Sequence, residues 1–120
     1  MLINHLDLQV RDVHAVASFF EAHFGLRWQS SRSSPAIAIL ADDDGFVLVL
    51  QRKKVLDQTY PDGFHLGFLL EDVASVEAKH RELVAAGAPV SDLQRNGRGT
   101  QLYCRIDEGI VVEVSCRSVR

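Results

Sequence analysis

Cysteine is scarce in this chain, with only Cys104 and Cys116 among 120 residues. Neither falls in a short C-x-x-C spacing or beside further Cys or His residues, so a zinc knuckle is excluded and both read as reduced thiols of the core or of strands. Positive charge is not in excess either. A net charge of -3 leaves no basic face for a nucleic acid backbone, and no nucleic acid partner is expected. Long apolar runs are missing, the longest being strand-sized, so no membrane span or membrane partner is expected. The opening "MLINHLDLQV" has no basic region followed by an apolar core, which makes a cytoplasmic location the expectation. What remains is an ordinary globular composition, 47% hydrophobic and 24% charged, in a chain long enough for one domain with a real core and too short for two of usual size.

The chain resembles itself. "HLDLQVRDVHAV", from His5, aligns with "HLGFLLEDVASV", from His65, and "DDGFVLVL", from Asp43, aligns with "DEGIVVEV", from Asp107. Gly45 then stands opposite Gly109, and Val49 opposite Glu113. An internal duplication of this size implies one domain, residues 1–120, made of two like modules, about 1–58 and 59–120. Each module is expected to open with a strand, residues 2–10 and 64–70, in which side chains alternate between faces. Leu6, Leu8 and Val10 share one face; His5, Asp7 and Gln9 share the other, which must line something besides a dry core.

A helix should follow, opened by Asp12 or Asp72 as N-cap and stopped by Gly25 or Gly87. Its apolar stripe is Val13, Val16, Ala17, Phe20 and Phe24 in the first copy, and Val73, Val76, His80, Leu83 and Val84 in the second. Three more strands complete each module, at 28–31, 36–40 and 46–51 and then at 90–93, 100–106 and 110–115, with "SRSSP" and "QRNGRG" as turns. The fold class is α+β: two βαβββ modules related by pseudo-two-fold symmetry, whose helix-free faces would curve as a mixed sheet around a cleft.

Symmetry makes His5 and His65 one pair of equivalent positions and Val49 and Glu113 another, all on the strand faces turned away from the helices. Two imidazoles and a carboxylate on converging strands are the residue types of a facial divalent-metal site that leaves positions open for substrate, water or dioxygen. Glu113 would be a ligand and Val49 its vacated counterpart. Taken singly, each residue is better explained as a surface or hydrogen-bonded side chain, and it is their joint fall on matched positions that favours the metal. His14, His23 and His80 fall in helices without a carboxylate partner at useful spacing and read as solvated or packed.

On "HLDLQVRDVHAVASFFEAHFGL", "FHLGFLLEDV", "ELVAAGAPV" and "DEGIVVEV", the chain resembles the vicinal oxygen chelate superfamily over essentially its whole length. That superfamily includes glyoxalase I, type I extradiol dioxygenases, fosfomycin-resistance enzymes and bleomycin-resistance proteins. The resemblance implies paired βαβββ modules, with the family's metal positions on His5, Val49, His65 and Glu113. Glyoxalase I fills all four; the extradiol enzymes use two histidines and one glutamate, as here, with a tyrosine ten residues before the glutamate, where Tyr103 stands. Their Asp-Pro before the turn glycine is Ile106-Asp107 in this chain, and where they have a histidine before the tyrosine the nearest polar residue is Asn96.

The implied function is that of a small metal-dependent enzyme acting on a small oxygen-bearing substrate, dioxygenase-like or lyase/isomerase-like, with iron, manganese, zinc or nickel held by His5, His65 and Glu113. In that reading Tyr103 is catalytic, hydrogen-bonding or protonating a substrate oxygen, and Asp7, Val49 and Gln51 face the substrate. The alternative is a metal-free protein of the bleomycin-resistance type, which sequesters a bulky ligand against Trp28, Phe46 and Tyr60. Small members of the superfamily commonly pair, so a homodimer is expected, and open sheet edges that need covering point the same way.

Overall fold

A strand running into a capped helix opens each half of the chain. The computed structural model describes residues 1–107 and 109–118. In the first half β1 (His5–Val10) leads to α1 (Val13–His23), followed by β2 (Arg27–Trp28), β3 (Ile37–Ala41) and β4 (Val47–Arg52). The second half repeats the order as β5 (His65–Leu69), α2 (Val73–Ala85), β6 (Gln94–Asn96), β7 (Gly99–Asp107) and β8 (Ile110–Arg117). Two compact units result, Met1–Gln58 and Thr59–Arg120. Each is a four-stranded mixed sheet with one helix, in the orders β1-β4-β3-β2 and β5-β8-β7-β6, so the expected α+β class with two βαβββ modules is found. In both sheets the opening strand lies parallel to the last strand of its module, and the remaining pairs are antiparallel.

The helices begin where the sequence places them. Asp12 accepts a hydrogen bond from the Ala15 amide at 3.0 Å, and Asp72 one from the Ser75 amide at 2.8 Å, each satisfying a donor that the first helical turn leaves open. Gly25 and Gly87 follow the helix ends with positive φ, the conformation that closes a helix without a side-chain clash. In α1 Val13, Val16, Ala17 and Phe20 are buried and the helix packs on β3 and β4, while Phe24, expected on the same stripe, is the half-buried C-cap residue. Phe20 is completely covered, and its burial contributes roughly 2–3 kcal/mol.

The second stripe is narrower than expected. Only Val76 and Leu83 are buried in α2, while Val73 and Val84 are exposed. Val84 stands about 100° round the helix from Leu83, too far to share its contact with β7 and β8. His80 is half-buried and directs Nε2 to the Ser91 carbonyl oxygen at 3.1 Å.

Strand positions differ from expectation in several places, one of them β2, expected at 28–31 and found only at Arg27–Trp28. β1 begins at His5, leaving Leu2 and Ile3 exposed outside the ladder. The strand expected at 90–93 is reduced to one bridge between Val90 and Cys104, and the strand itself lies at Gln94–Asn96. The cause is Ser91, whose Oγ accepts the Tyr103 amide at 2.9 Å and so takes a ladder donor with a side chain. "QRNGRG" is consequently only partly a turn, and β8 runs on to Arg117. The hairpin glycines Gly45 and Gly109 both have positive φ, as the repeat requires; Glu108, beside Gly109, lies outside the described residues.

Leu8, Val10, Leu48 and Leu50 in the first unit, and Leu102, Val112 and Val114 in the second, form the strand side of each core. Cys104 and Cys116 are buried free thiols, and burial pushes the Cys104 thiol above its ordinary pKa. Among the described residues no helix is long and apolar enough to cross a membrane.

Candidate functional site

Glu113 points from the face of β8 opposite the core, because Val112 and Val114 on either side of it are the buried residues of that strand. Its cross-strand neighbours on that face are Gly67 on β5 and Tyr103 on β7. Gly67 leaves room beside the carboxylate: a Cβ there would lie 3.7 Å from that of Glu113. His65, two residues before Gly67, projects from the same face. Its Nε2 stands 3.8 Å from Glu113 Oε2, with the imidazole half exposed and the carboxylate only 15% exposed.

The tautomer of His65 follows from its other nitrogen. Nδ1 lies 2.9 Å from the Gly63 carbonyl oxygen, which can only accept, so Nδ1 donates there and Nε2 is the ring nitrogen left facing Glu113. His5 is held in the same way, with Nδ1 2.9 Å from Asn4 Oδ1. A ring nitrogen tied back to an oxygen acceptor is how proteins fix imidazoles that ligate metals. Two donors 3.8 Å apart both reach one ion at roughly 2.1 Å from each, so His65 and Glu113 suit a divalent cation. Among the described residues no three His, Cys, Asp or Glu side chains gather within one group sized for a metal; the pair the structure brings together is His65 and Glu113, in the second unit.

Tyr103 is brought to the same place. Its ring meets that of His65 edge to face, with centroids 6.5 Å apart, and its backbone is anchored on both sides by Ser91. Gly63, Phe64, His65, Tyr103 and Val111 line a hollow whose walls are almost wholly apolar. Tyr60 stacks on Phe64 at 4.5 Å and extends that aromatic surface. Asn96 is not comparably placed, since its amide is paired with that of buried Gln101 at 3.0 Å.

In the first unit the corresponding face carries His5, Asp7, Val49 and Gln51. Val49 lies between Asp7 on β1 and Ile39 on β3. Gln51 Nε2 donates to Asp7 Oδ2 at 2.6 Å. Trp28 is already engaged, with Arg32 4.6 Å above its ring and His14 beside it at 4.7 Å, and His14 Nε2 bonds the Arg32 carbonyl oxygen. Arg32 in turn makes a two-point ion pair with Glu21, which holds that carboxyl below the usual carboxylate range. Sequence reasoning missed the roles of Asn4, Gly63 and Gly67. For Gly67 a signal was present, because the repeat sets it opposite Asp7.

A family model described as Glyoxalase/Bleomycin resistance protein/Dioxygenase superfamily matches residues 2–114. The structure of a possible glyoxalase from Bacillus cereus is 34% identical, over 97% of this chain and 99% of that one, with a TM-score of 0.84. Two more distant structures share the fold. The fosfomycin resistance protein FosX from Listeria monocytogenes has a TM-score of 0.81 at 16% identity, covering 99% of this chain and 95% of its own. Lactoylglutathione lyase from Agrobacterium tumefaciens has a TM-score of 0.76 at 21% identity, covering 96% and 92%. A mutant of the Listeria protein has been solved with Mn(II) and 1S,2S-dihydroxypropylphosphonic acid. No curated protein matches the chain. With two like βαβββ modules and a family match over nearly all its residues, this chain belongs to the Glyoxalase/Bleomycin resistance protein/Dioxygenase superfamily, the vicinal oxygen chelate proteins.

Proposed function

We propose that this chain is a small metal-dependent enzyme acting on a small molecule with adjacent oxygen atoms, and that His5, His65 and Glu113 ligate its divalent ion. The observation that carries the reading is the His65–Glu113 pair, 3.8 Å apart, with Nδ1 of the imidazole engaged by the Gly63 carbonyl so that Nε2 faces the carboxylate. His5, with its own Nδ1 occupied by Asn4, would enter as the equivalent ligand from the other module, within one chain or between two. The Mn(II) held by the FosX mutant adds support for manganese, and zinc, nickel and iron suit the same donor types. Such an ion would polarise the substrate oxygens as a Lewis acid.

The chain's own residues do the rest. Tyr103, beside His65 and across from Glu113, would hydrogen-bond a substrate oxygen or pass it a proton. Phe64, Tyr103 and Val111 would cover an apolar part of the substrate and exclude water from that side. Asp7, Val49 and Gln51 would meet the substrate from the first module. The same proposal places the protein in the cytoplasm as a homodimer, the exposed Leu2 and Ile3 next to the edge strand β1 being suited to contact with a second copy. A sedimentation run showing only monomer at micromolar concentration would remove the dimer.

A second reading, metal-free sequestration of a bulky ligand, is favoured by the apolar hollow and by the Tyr60–Phe64 stack. Elemental analysis of untagged protein purified without chelator separates the two. The enzyme reading expects a first-row divalent metal near one equivalent per site; protein free of metal, and unable to take any up on addition, favours sequestration.

A further inference from the structure

The register of the second sheet sets residues of three strands in rows across its helix-free face. His65 on β5 pairs with Val111 on β8, which pairs in turn with Arg105 on β7. In the next row Gly67, Glu113 and Tyr103 stand in the same order. Cys104, between Tyr103 and Arg105, is buried, so both of its neighbours project from the face that carries Glu113. Strands lie about 5 Å apart, which sets the Cα atoms of His65 and Arg105 roughly 10 Å from each other with Val111 between them. An imidazole therefore borders this apolar floor on one side and a guanidinium on the other.

The hollow beside His65 does not end at Tyr103 and Val111. A second hollow shares these two walls and reaches Ser91 and Arg105. Among the described residues that line the pair of hollows, Arg105 holds the only permanent charge. Its backbone is fixed, the amide donating to the Pro89 carbonyl oxygen at 3.1 Å, while its guanidinium has no acceptor among the described residues. Arg27, Arg32 and Arg95, by contrast, each face a carboxylate. The Ser91 hydroxyl is already spent on the Asp92 carbonyl oxygen at 2.9 Å, so Arg105 is the donor left for a ligand on this side. A guanidinium offers a planar fork that matches two oxygens of one anion, and apolar walls strengthen the bond by reducing competition from water.

We propose that Arg105 is a specificity-determining residue that binds the anionic end of the ligand, a carboxylate or a phosphonate, while the ligand's apolar body lies over Val111 against Phe64 and Tyr103. The end remote from Arg105 then faces His65 and Glu113. The ligand class is a small acid whose charged group is separated from its reacting oxygens by a short apolar segment. This rests on the reading of the helix-free face as the substrate site and names the substrate class for it. It draws only on residues of the second unit, and the anion contact itself requires no metal.

The test titrates probes of one shape into metal-stripped protein near neutral pH, followed by NMR: phenylpropionate, phenylethylphosphonate and the neutral phenylpropionamide. The parent should bind at least one acid about fivefold to tenfold more tightly than the amide, with shifts concentrated at Tyr103, Arg105 and Val111. Arg105→Gln should bring the acids down to the amide's affinity and leave the amide's affinity and the circular dichroism unchanged. Arg105→Lys, which keeps the charge and loses the fork, should recover only part of the preference. Added salt should shrink the preference, as an exposed charge contact requires. The tighter of the two acids tells a carboxylate ligand from a phosphonate. Acid and amide bound alike by the parent, all three probes left unbound, or an acid preference that survives in Arg105→Gln overturns the role of Arg105. Mn(II) titration reads the metal assignment separately: a parent that takes up no metal and keeps the acid preference loses the enzyme reading and retains the anion site, and the reverse result retains the metal and removes Arg105.

Discussion

Gly67 offers a test of the site that needs no substrate. Its φ is not positive, and a Cβ built on it would lie 3.5 Å from the Glu113 carbonyl oxygen and 3.7 Å from the Glu113 Cβ, both ordinary contact distances. Gly67→Ala therefore introduces no clash and restricts the unfolded chain, which stabilises the fold by about 0.5 kcal/mol. In a chain of this size that raises Tm by roughly 2 °C. Because the methyl stops short of the carboxylate, affinity for Mn(II) should stay at the parent's value. Gly67→Leu is different: its branched end must lie along the face at Glu113, where the carboxylate is only 15% exposed, and Mn(II) binding should fall while the helices persist. Urea denaturation followed by circular dichroism, with calorimetric Mn(II) titration of the same samples, measures both effects. Were Gly67→Ala to cost more than about 1 kcal/mol, or Gly67→Leu to bind Mn(II) like the parent, Gly67 would not flank Glu113 and the symmetry with Asp7 would be lost.

The unequal stripe of α2 sets a second expectation: Leu83→Ala should cost about 2–5 kcal/mol, because Leu83 is fully covered, whereas Val84→Ala, at a residue 55% exposed, should stay within about 0.5 kcal/mol by urea melts. Asp72 fixes part of the acid response. The Ser75 hydroxyl and then the Ser75 amide hold its carboxyl below the ordinary value, so its stabilising contribution is complete above roughly pH 4 and disappears as pH falls through the lower folded-state value. Asp72→Asn, which caps without titrating, should flatten the acid limb of a stability-against-pH curve between those limits. Cys104 and Cys116 should resist a thiol reagent in the native protein and react fully after unfolding, since both are buried and the Cys104 thiol is shifted away from thiolate.

Much of the fold was legible because the chain states it twice. The caps Asp12 and Asp72, the stop residues Gly25 and Gly87 and the alternation in β1, β4 and β8 recur at matched places, and local chemistry at each is strong. The misplaced strand at 90–93 was not legible, because the sequence does not announce that Ser91 will spend its hydroxyl on the Tyr103 amide. Nor did apolar spacing distinguish Leu83 from Val84, since both fall within a generous helical stripe. At the site, His65, Tyr103 and Glu113 were named from the repeat and the resemblance, and the structure groups them in one unit. The supports of the two histidines, Asn4 for His5 and Gly63 for His65, were hidden because one acts through a side-chain oxygen next in sequence and the other through a backbone carbonyl.

The central claim is that Glu113 is a metal ligand, and calorimetric titration of Mn(II) onto metal-stripped parent protein and onto Glu113→Ala tests it most directly. Removing a face-lying carboxylate opens no core cavity, so the variant should give the parent's circular dichroism. The parent should bind one ion per site, and Glu113→Ala should bind none at concentrations that saturate the parent. Equal binding by the two proteins, or none by either, would contradict the claim.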